Sequence, residues 1–146
     1  MRVLVVTNMY PSPERPELGR FVADQVAALR EIDGLEVELF AFRGGGPAAY
    51  ARAARELRAR FRGERFDVVH AHYGLTAWVA FALRGAPHVV TFHGTDLRHP
   101  RVGPLSRAAA ALAALPAAVS ASLAREGLRG AGGRRRVAVL PCGVDL

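Results

Sequence analysis

Three histidines stand at or just beyond short apolar runs: His70 and His72 around the end of one, His93 directly after another. Two imidazoles two residues apart face the same way from an extended strand. With Asp96 nearby, the three histidines form a set that could in principle hold zinc. Their spacing matches no zinc pattern, however, and one of a close histidine pair is more often a packed, hydrogen-bonded core residue, so no metal is expected. His93 is different, because Gly94 beside it permits close approach and an imidazole donates a hydrogen bond or exchanges a proton near neutral pH. Thr7-Asn8, Thr95-Asp96, Ser120 and Cys142-Gly143 also follow apolar runs.

The stretch Asn8 to Gly19 is long for a strand-to-helix connection, where ~2 to 6 residues are usual. It holds Pro11, Pro13 and Pro16 before Gly19 opens a helix. A helix starting at glycine leaves backbone N–H groups and the positive end of the macrodipole open to a phosphate or carboxylate. The same glycine could equally serve only as a tight helix entry. No Gly-x-Gly-x-x-Gly fingerprint follows the first apolar run, which argues against a nicotinamide or flavin role.

The elements that must position these groups alternate from end to end. Strands are expected at Arg2–Thr7, Glu36–Phe42, Asp67–Ala71, His88–Phe92, Ala117–Ser120 and Val137–Leu140. Helices are expected near Gly19–Ile32, Pro47–Arg62, Gly74–Leu83, Pro104–Leu115 and Ser122–Leu128. In the first, Phe21, Gln25, Ala28, Leu29 and Ile32 share a face. In the second, Tyr50, Ala54, Leu57 and Phe61 oppose Arg52, Arg55 and Arg62. Short apolar runs alternating with helical segments predict an α/β fold, a doubly wound, Rossmann-like parallel sheet with helices on both faces. Parallel strands gather every polar strand end on one rim, where ligands of such sheets bind. Gly44-Gly45-Gly46 and Gly130 to Arg136 read as loops, and no internal repeat is visible.

Composition narrows the function classes. The 146 residues match one domain, too few for a complete two-lobed enzyme. A net charge of +7 comes entirely from arginine on the basic side, and 27 alanines point to a GC-rich coding bias rather than a phosphate-binding surface. The excess is uneven: residues 1–73 carry 11 Arg against 10 acids, residues 74–146 carry 9 against 3. The second half should attract anions. No basic and aromatic interleaving accompanies the charge, so nucleic acid is not the expected partner. Cys142 is the only cysteine, which fits a reducing, cytoplasmic compartment. The uncharged stretch Ala108–Ala124 is broken by Pro116, Ser120 and Ser122 and reads as a buried helix followed by a strand, not a membrane span.

Four motifs in this order resemble one family across essentially all of the chain. They are Gly19-Arg20-Phe21-Val22 with Gln25 and Leu29 after a proline-rich loop, Phe66-Asp67-Val68-Val69-His70-Ala71-His72, Thr91-Phe92-His93-Gly94-Thr95-Asp96, and Leu140-Pro141-Cys142-Gly143-Val144-Asp145. The chain is similar to the family 4 retaining glycosyltransferases of the two-lobed GT-B fold. The resemblance implies that residues 1–146 are the N-terminal acceptor-binding domain and that the C-terminal donor-binding domain is absent. By the same resemblance, His93 is the catalytic-side residue, acting by positioning and electrostatics. Gly19 and Asn8 lie toward the donor phosphates, although many members carry two glycines where this chain has Leu18-Gly19. His72, Gly94, Thr95, Asp96 and Ser120 fall on the acceptor side.

The implied partners are a nucleotide-sugar donor, an acceptor whose identity the sequence leaves open, a lipid-linked one among the options, and the missing lobe, with no cofactor and no metal. Exposed apolar surface left by that lobe would favour self-association. The basic helix face of Arg52, Arg55, Arg58 and Arg62 suits peripheral contact with the anionic inner face of a membrane. Two other readings stay open, a stand-alone Rossmann-like binding module and a histidine-liganded metal hydrolase.

Overall fold

The computed structural model describes residues 1–128 and 136–142. The expected loop from Gly130 falls outside these residues except for Arg136, as do Gly143, Val144 and Asp145 of the final motif. Described in chain order, the elements are β1 (Arg2–Thr7), α1 (Arg20–Arg30), β2 (Glu36–Ala41), α2 (Pro47–Arg60), β3 (Val68–His72), α3 (Gly74–Ala80), β4 (His88–Phe92), α4 (Thr95–Arg98), α5 (Val102–Leu112), β5 (Leu115–Ala118), α6 (Ala121–Gly127) and β6 (Ala138–Val139). The strands form one parallel sheet in the order β2-β1-β3-β4-β5-β6. This is the α/β Rossmann-like sheet that the alternation predicts. The order reverses direction at β1, so the crevice between the ends of β1 and β3 is the place where such sheets take ligands.

Alternation along each strand divides the core in two. Val3 and Val5 of β1 pack with Val22 and Val26 of α1, while Leu4 and Val6 join Phe40, Leu57, Val69, Ala77, Val90, Phe92 and Ala109 on the opposite face. There α3 packs between α2 and α5. Along β3, Val68, His70 and His72 turn to the α1 side, and Val69 and Ala71 turn to the other. Sheet alternation thus places both histidines beneath α1. At the amino edge, Arg2 pairs with Glu36, Glu38 and Glu64 and lies over the Phe66 ring, absorbing one of the cations locally.

Several boundaries differ from the sequence expectation for identifiable reasons. β5 begins two residues early and stops at Ala118, because Ser120 has turned to cap α6, its Oγ accepting from the Leu123 N–H at 3.2 Å. α3 closes at Ala80 and continues to Leu83 only through tight i to i+3 bonds from the Ala82 and Leu83 N–H groups. α5 starts at Val102, with Pro104 in its first turn, where its missing N–H costs nothing. The single turn α4 was not foreseen. On α1 the buried pair is Val22 and Val26, while Ala28 and Ile32, assigned to the core face from periodicity, are exposed, Ile32 by 53%.

Leu57 and Ile32 therefore make a direct comparison. Leu57→Ala should lower unfolding stability by about 2–5 kcal/mol, the range for truncating a fully buried leucine. Ile32→Ala should stay within about 0.5 kcal/mol. Urea unfolding of the two variants measures both.

Candidate functional site

Parallel register sets the site. Thr7 of β1 stands opposite His72 of β3, and His72 stands opposite Thr91 of β4. His70 Nε2 lies 2.8 Å from Thr91 Oγ1, so the deeper histidine is tied to its neighbouring strand. His72 sits between the other two rings: its centroid is 4.3 Å from that of His70 and 5.4 Å from that of His93, the latter pair stacked. His72 Nδ1 is 3.3 Å from His93 Nε2. From α1, the Phe21 ring closes over the row, 4.9 Å from His93 and edge-on to His72 at 6.4 Å. On its outer side His93 Nδ1 faces the exposed Cys142, with Sγ at 3.8 Å.

These imidazoles are not spread around a common centre. Among the described residues no group of three or more His, Cys, Asp or Glu side chains is placed to hold a metal ion. Asp96, the carboxylate of the zinc alternative, is fully buried with both oxygens engaged: Oδ1 accepts from the His93 and Gly94 N–H groups at 3.1 and 2.9 Å, and Oδ2 from the Gly74 N–H at 3.0 Å. The carboxylate thereby fastens the turn after β4 to the start of α3. Burial raises its pKa, while those amide bonds pull in the opposite sense. Gly94 sits at φ 103°, a conformation that side chains resist, and this lets the chain fold back over Asp96.

The remaining sequence-selected residues divide between two neighbouring places. Gly19 caps α1 at φ 68°, and a Cβ there would overlap the Met9 carbonyl, so close packing as well as conformation requires glycine. Its carbonyl accepts from the Val22 and Ala23 N–H groups, which leaves the first N–H groups of α1 directed to the rim. Asn8 and Thr95 line a cavity of about 760 Å³ at the ends of β1, β2 and β3. Asn8 Nδ2 donates to the Tyr50 hydroxyl at 2.9 Å, while its Oδ1 is buried without a partner. Ser120 serves α6 as its cap and is not part of the cavity wall.

Sequence reasoning missed most of that wall: Tyr10, Arg15, Arg43, Tyr50 and Tyr73. Tyr73 holds φ 83°, the one positive value among described non-glycine residues. The strain is sustained from both sides, because the Tyr73 N–H donates to the Thr91 carbonyl at 2.9 Å and the next amide, Gly74, is held by Asp96. An aromatic residue directly between a strand-ending histidine and a helix-opening glycine was the available signal. Arg43 lies close enough to lower the Glu14 pKa, after the larger effects of the Ser12 hydroxyl and the local backbone. The cavity wall thus combines hydroxyls, guanidinium groups and aromatic faces on a largely apolar lining.

Electrostatically, the histidine row is neutral. Burial pushes His70 and His93 down to about 4 and His72 well below its ordinary range, with neighbouring imidazoles adding to the shift for His70 and His72. An unfolded chain takes up these protons near pH ~6.5, whereas the folded chain refuses them until about 4. In that window the unfolded state binds more protons, so stability falls as pH falls. Asp96, whose pKa burial raises, acts in the opposite sense. The urea midpoint should therefore drop between about pH 7 and about pH 5. An equal or higher midpoint at the lower pH would contradict a neutral buried row.

Comparison with known proteins adds two findings. The family described as Glycosyltransferase Family 4 matches residues 1–146. Among solved structures, the chain is similar to S. aureus MnaA in its co-structure with UDP, at a TM-score of 0.71 and 16% identity, covering 95% of this chain and 43% of that one. That likeness is one of fold, and the chain spans less than half the length of its structural relative. No curated protein matches the chain.

Proposed function

Since the chain belongs to glycosyltransferase family 4, we propose that it is the acceptor-binding lobe of a retaining glycosyltransferase that moves a sugar from a nucleotide-sugar to an acceptor hydroxyl. On this reading the donor-binding lobe is a separate domain outside residues 1–146. The UDP of the MnaA co-structure supports a nucleotide-bearing donor. The observation that carries the proposal is that the ends of the parallel strands bring to one rim His93 after β4, Phe21 of α1 packed against its ring, and a cavity of about 760 Å³ at the ends of β1, β2 and β3.

The acceptor occupies the cavity, with Tyr50, Tyr73 and Thr95 as its hydrogen-bonding wall, while Asn8, expected toward the donor phosphates, braces the Tyr50 hydroxyl. The donor diphosphate lies toward Gly19 and the free N–H groups of α1. Transfer breaks the bond between the sugar's anomeric carbon and the diphosphate oxygen and forms one to the acceptor oxygen, whose hydroxyl proton leaves with the diphosphate. His93, neutral and held by its neighbours, positions the sugar and stabilises developing charge without a covalent step. Gly94 and Asp96 keep His93 in place through the turn that follows it. The chain alone is inactive on this reading, because the principal donor contacts belong to the other lobe.

No described helix is long and apolar enough to cross a membrane. Peripheral contact is supported by a surface feature. Arg52, Arg55, Arg58 and Arg62, on and just after α2, are exposed, and on the neighbouring helices α3 and α5 so are Trp78, Leu105 and Leu112. Basic groups beside an interfacial tryptophan suit an anionic bilayer, each arginine contributing ~1 kcal/mol near such a surface. A lipid-linked acceptor would then be met at the membrane.

Two measurements test these readings. In the full-length enzyme, His93→Ala should lower turnover by about 100-fold or more, the scale of losing one preorganised donor, and retained turnover would remove His93 from the site. The chain should also sediment with anionic vesicles at low salt and be released at high salt. Equal recovery with neutral vesicles would sink the membrane contact.

A further inference from the structure

The resemblance puts His72 on the acceptor side, yet the transfer proposed above gives it no part. It is 2% exposed, so it cannot touch an acceptor, yet it lies directly behind the residue assigned to the donor sugar. Its two nitrogens have unequal surroundings. Nδ1 is 3.3 Å from His93 Nε2, while Nε2 is buried with no hydrogen-bond partner.

A neutral imidazole carries one proton, and the contact between the two rings requires that one nitrogen donate and the other accept. If His93 Nε2 held the proton, the His72 proton would be forced onto Nε2, as a buried N–H with no acceptor. Orphaned buried N–H groups are among the rarest features of folded proteins. If instead His72 Nδ1 held the proton, the buried Nε2 would be left with only a bare lone pair. His93 would then accept at Nε2 and carry its own proton on Nδ1, the nitrogen that faces the exposed rim beside Cys142.

We infer that His72 is a positioning residue whose Nδ1–H donates to His93 Nε2, fixing His93 as the tautomer with its proton on Nδ1, the nitrogen on the exposed Cys142 side of the ring. The partner of one ring nitrogen sets the protonation of the other. The neighbouring rings hold the arrangement, with His70 in tilted contact at 4.3 Å and Phe21 edge-on at 6.4 Å. Burial keeps both rings neutral, so the single shared proton has a defined direction. His93 thereby presents a hydrogen-bond donor to an oxygen of the ligand rather than a lone pair. The rim needs a donor there if a sugar hydroxyl or a developing negative charge is to be stabilised.

The inference bears on transfer only through the role proposed for His93, so its test reads the proton and not turnover. Imidazole ¹H–¹⁵N correlation spectra of the ¹⁵N-labelled chain near neutral pH distinguish protonated from bare ring nitrogens. Expected are a protonated Nδ1 and a bare Nε2 for His93, with a protonated Nδ1 for His72. His72→Phe removes the donor and keeps a ring, and the His93 Nδ1 signal should shift toward the bare form. His72→Asn places an amide N–H where Nδ1 stood and should restore the protonated signal. A wild-type His93 protonated on Nε2 would overturn the inference, whether or not the phenylalanine variant folds. An unchanged His93 spectrum in a folded His72→Phe would overturn it as well. Failure of the transferase reading shows elsewhere, as full activity of His93→Ala in the complete enzyme, and leaves these spectra as they are.

Discussion

Register between β1, β3 and β4 is the constraint on which the site depends. Because the strands are parallel and Thr7, His72 and Thr91 stand level, every chain segment leaving the sheet there departs from one line. A slip of one residue in β3 would turn His70 and His72 to the opposite face, among Leu57, Ala77 and Phe92, and bring Val69 and Ala71 beneath α1. Neither face would tolerate that exchange: one would bury imidazoles in hydrocarbon, and the other would lose the row behind His93. The functional geometry and the hydrophobic core are thus enforced by a single alternation.

Asp96 completes what register begins. Strand pairing ends at Phe92, and beyond it the backbone amides of His93, Gly94 and Gly74 would lie buried without ladder partners. One carboxylate accepts from all three. A buried charge is tolerable when it is so thoroughly hydrogen-bonded, and the return is a turn whose shape is set by electrostatics rather than by strand pairing. Tyr73 is strained on one side of this joint and Gly94 bends back on the other, so the cavity wall and the His93 ring are held by the same anchor.

How much of this was legible in the sequence follows from which interactions are local. The strands β1 and β4 were bounded correctly because short apolar runs between turn residues are local signals, and His93 followed by Gly94 marked the rim by composition alone. Ile32 was misassigned because helical periodicity continues past the point where the chain leaves the sheet, and only tertiary packing shows that Val26 is the last buried position on α1. α4 is one turn long, too short to show a period. Arg15, Arg43, Tyr50 and Tyr73 come from four separate segments, and nothing short of the folded cavity brings them together. Asp96 was selected for its type and position, but its three amide partners, one of them 22 residues away, belong to the fold alone.

Charge distribution bears on why a second lobe would be needed on the proposed reading. The histidine row is neutral, and Asp96 beside it is occupied by amides. The cations nearest the cavity are Arg15 and Arg43, and Glu14 shares that wall and offsets them. Most of the chain's arginine excess falls in residues 74–146, none of whose described arginines lines the cavity, while Arg2 is already paired with Glu36, Glu38 and Glu64. The amino end of α1 supplies partial charge, on the order of half an elementary charge, against the roughly two or more negative charges of a nucleotide diphosphate. A ligand of that kind bound by these residues alone would keep much of its charge uncompensated. On the proposed reading, neutral imidazoles at the centre suit the orientation of a sugar, and the full cations for the departing diphosphate would come from the other lobe.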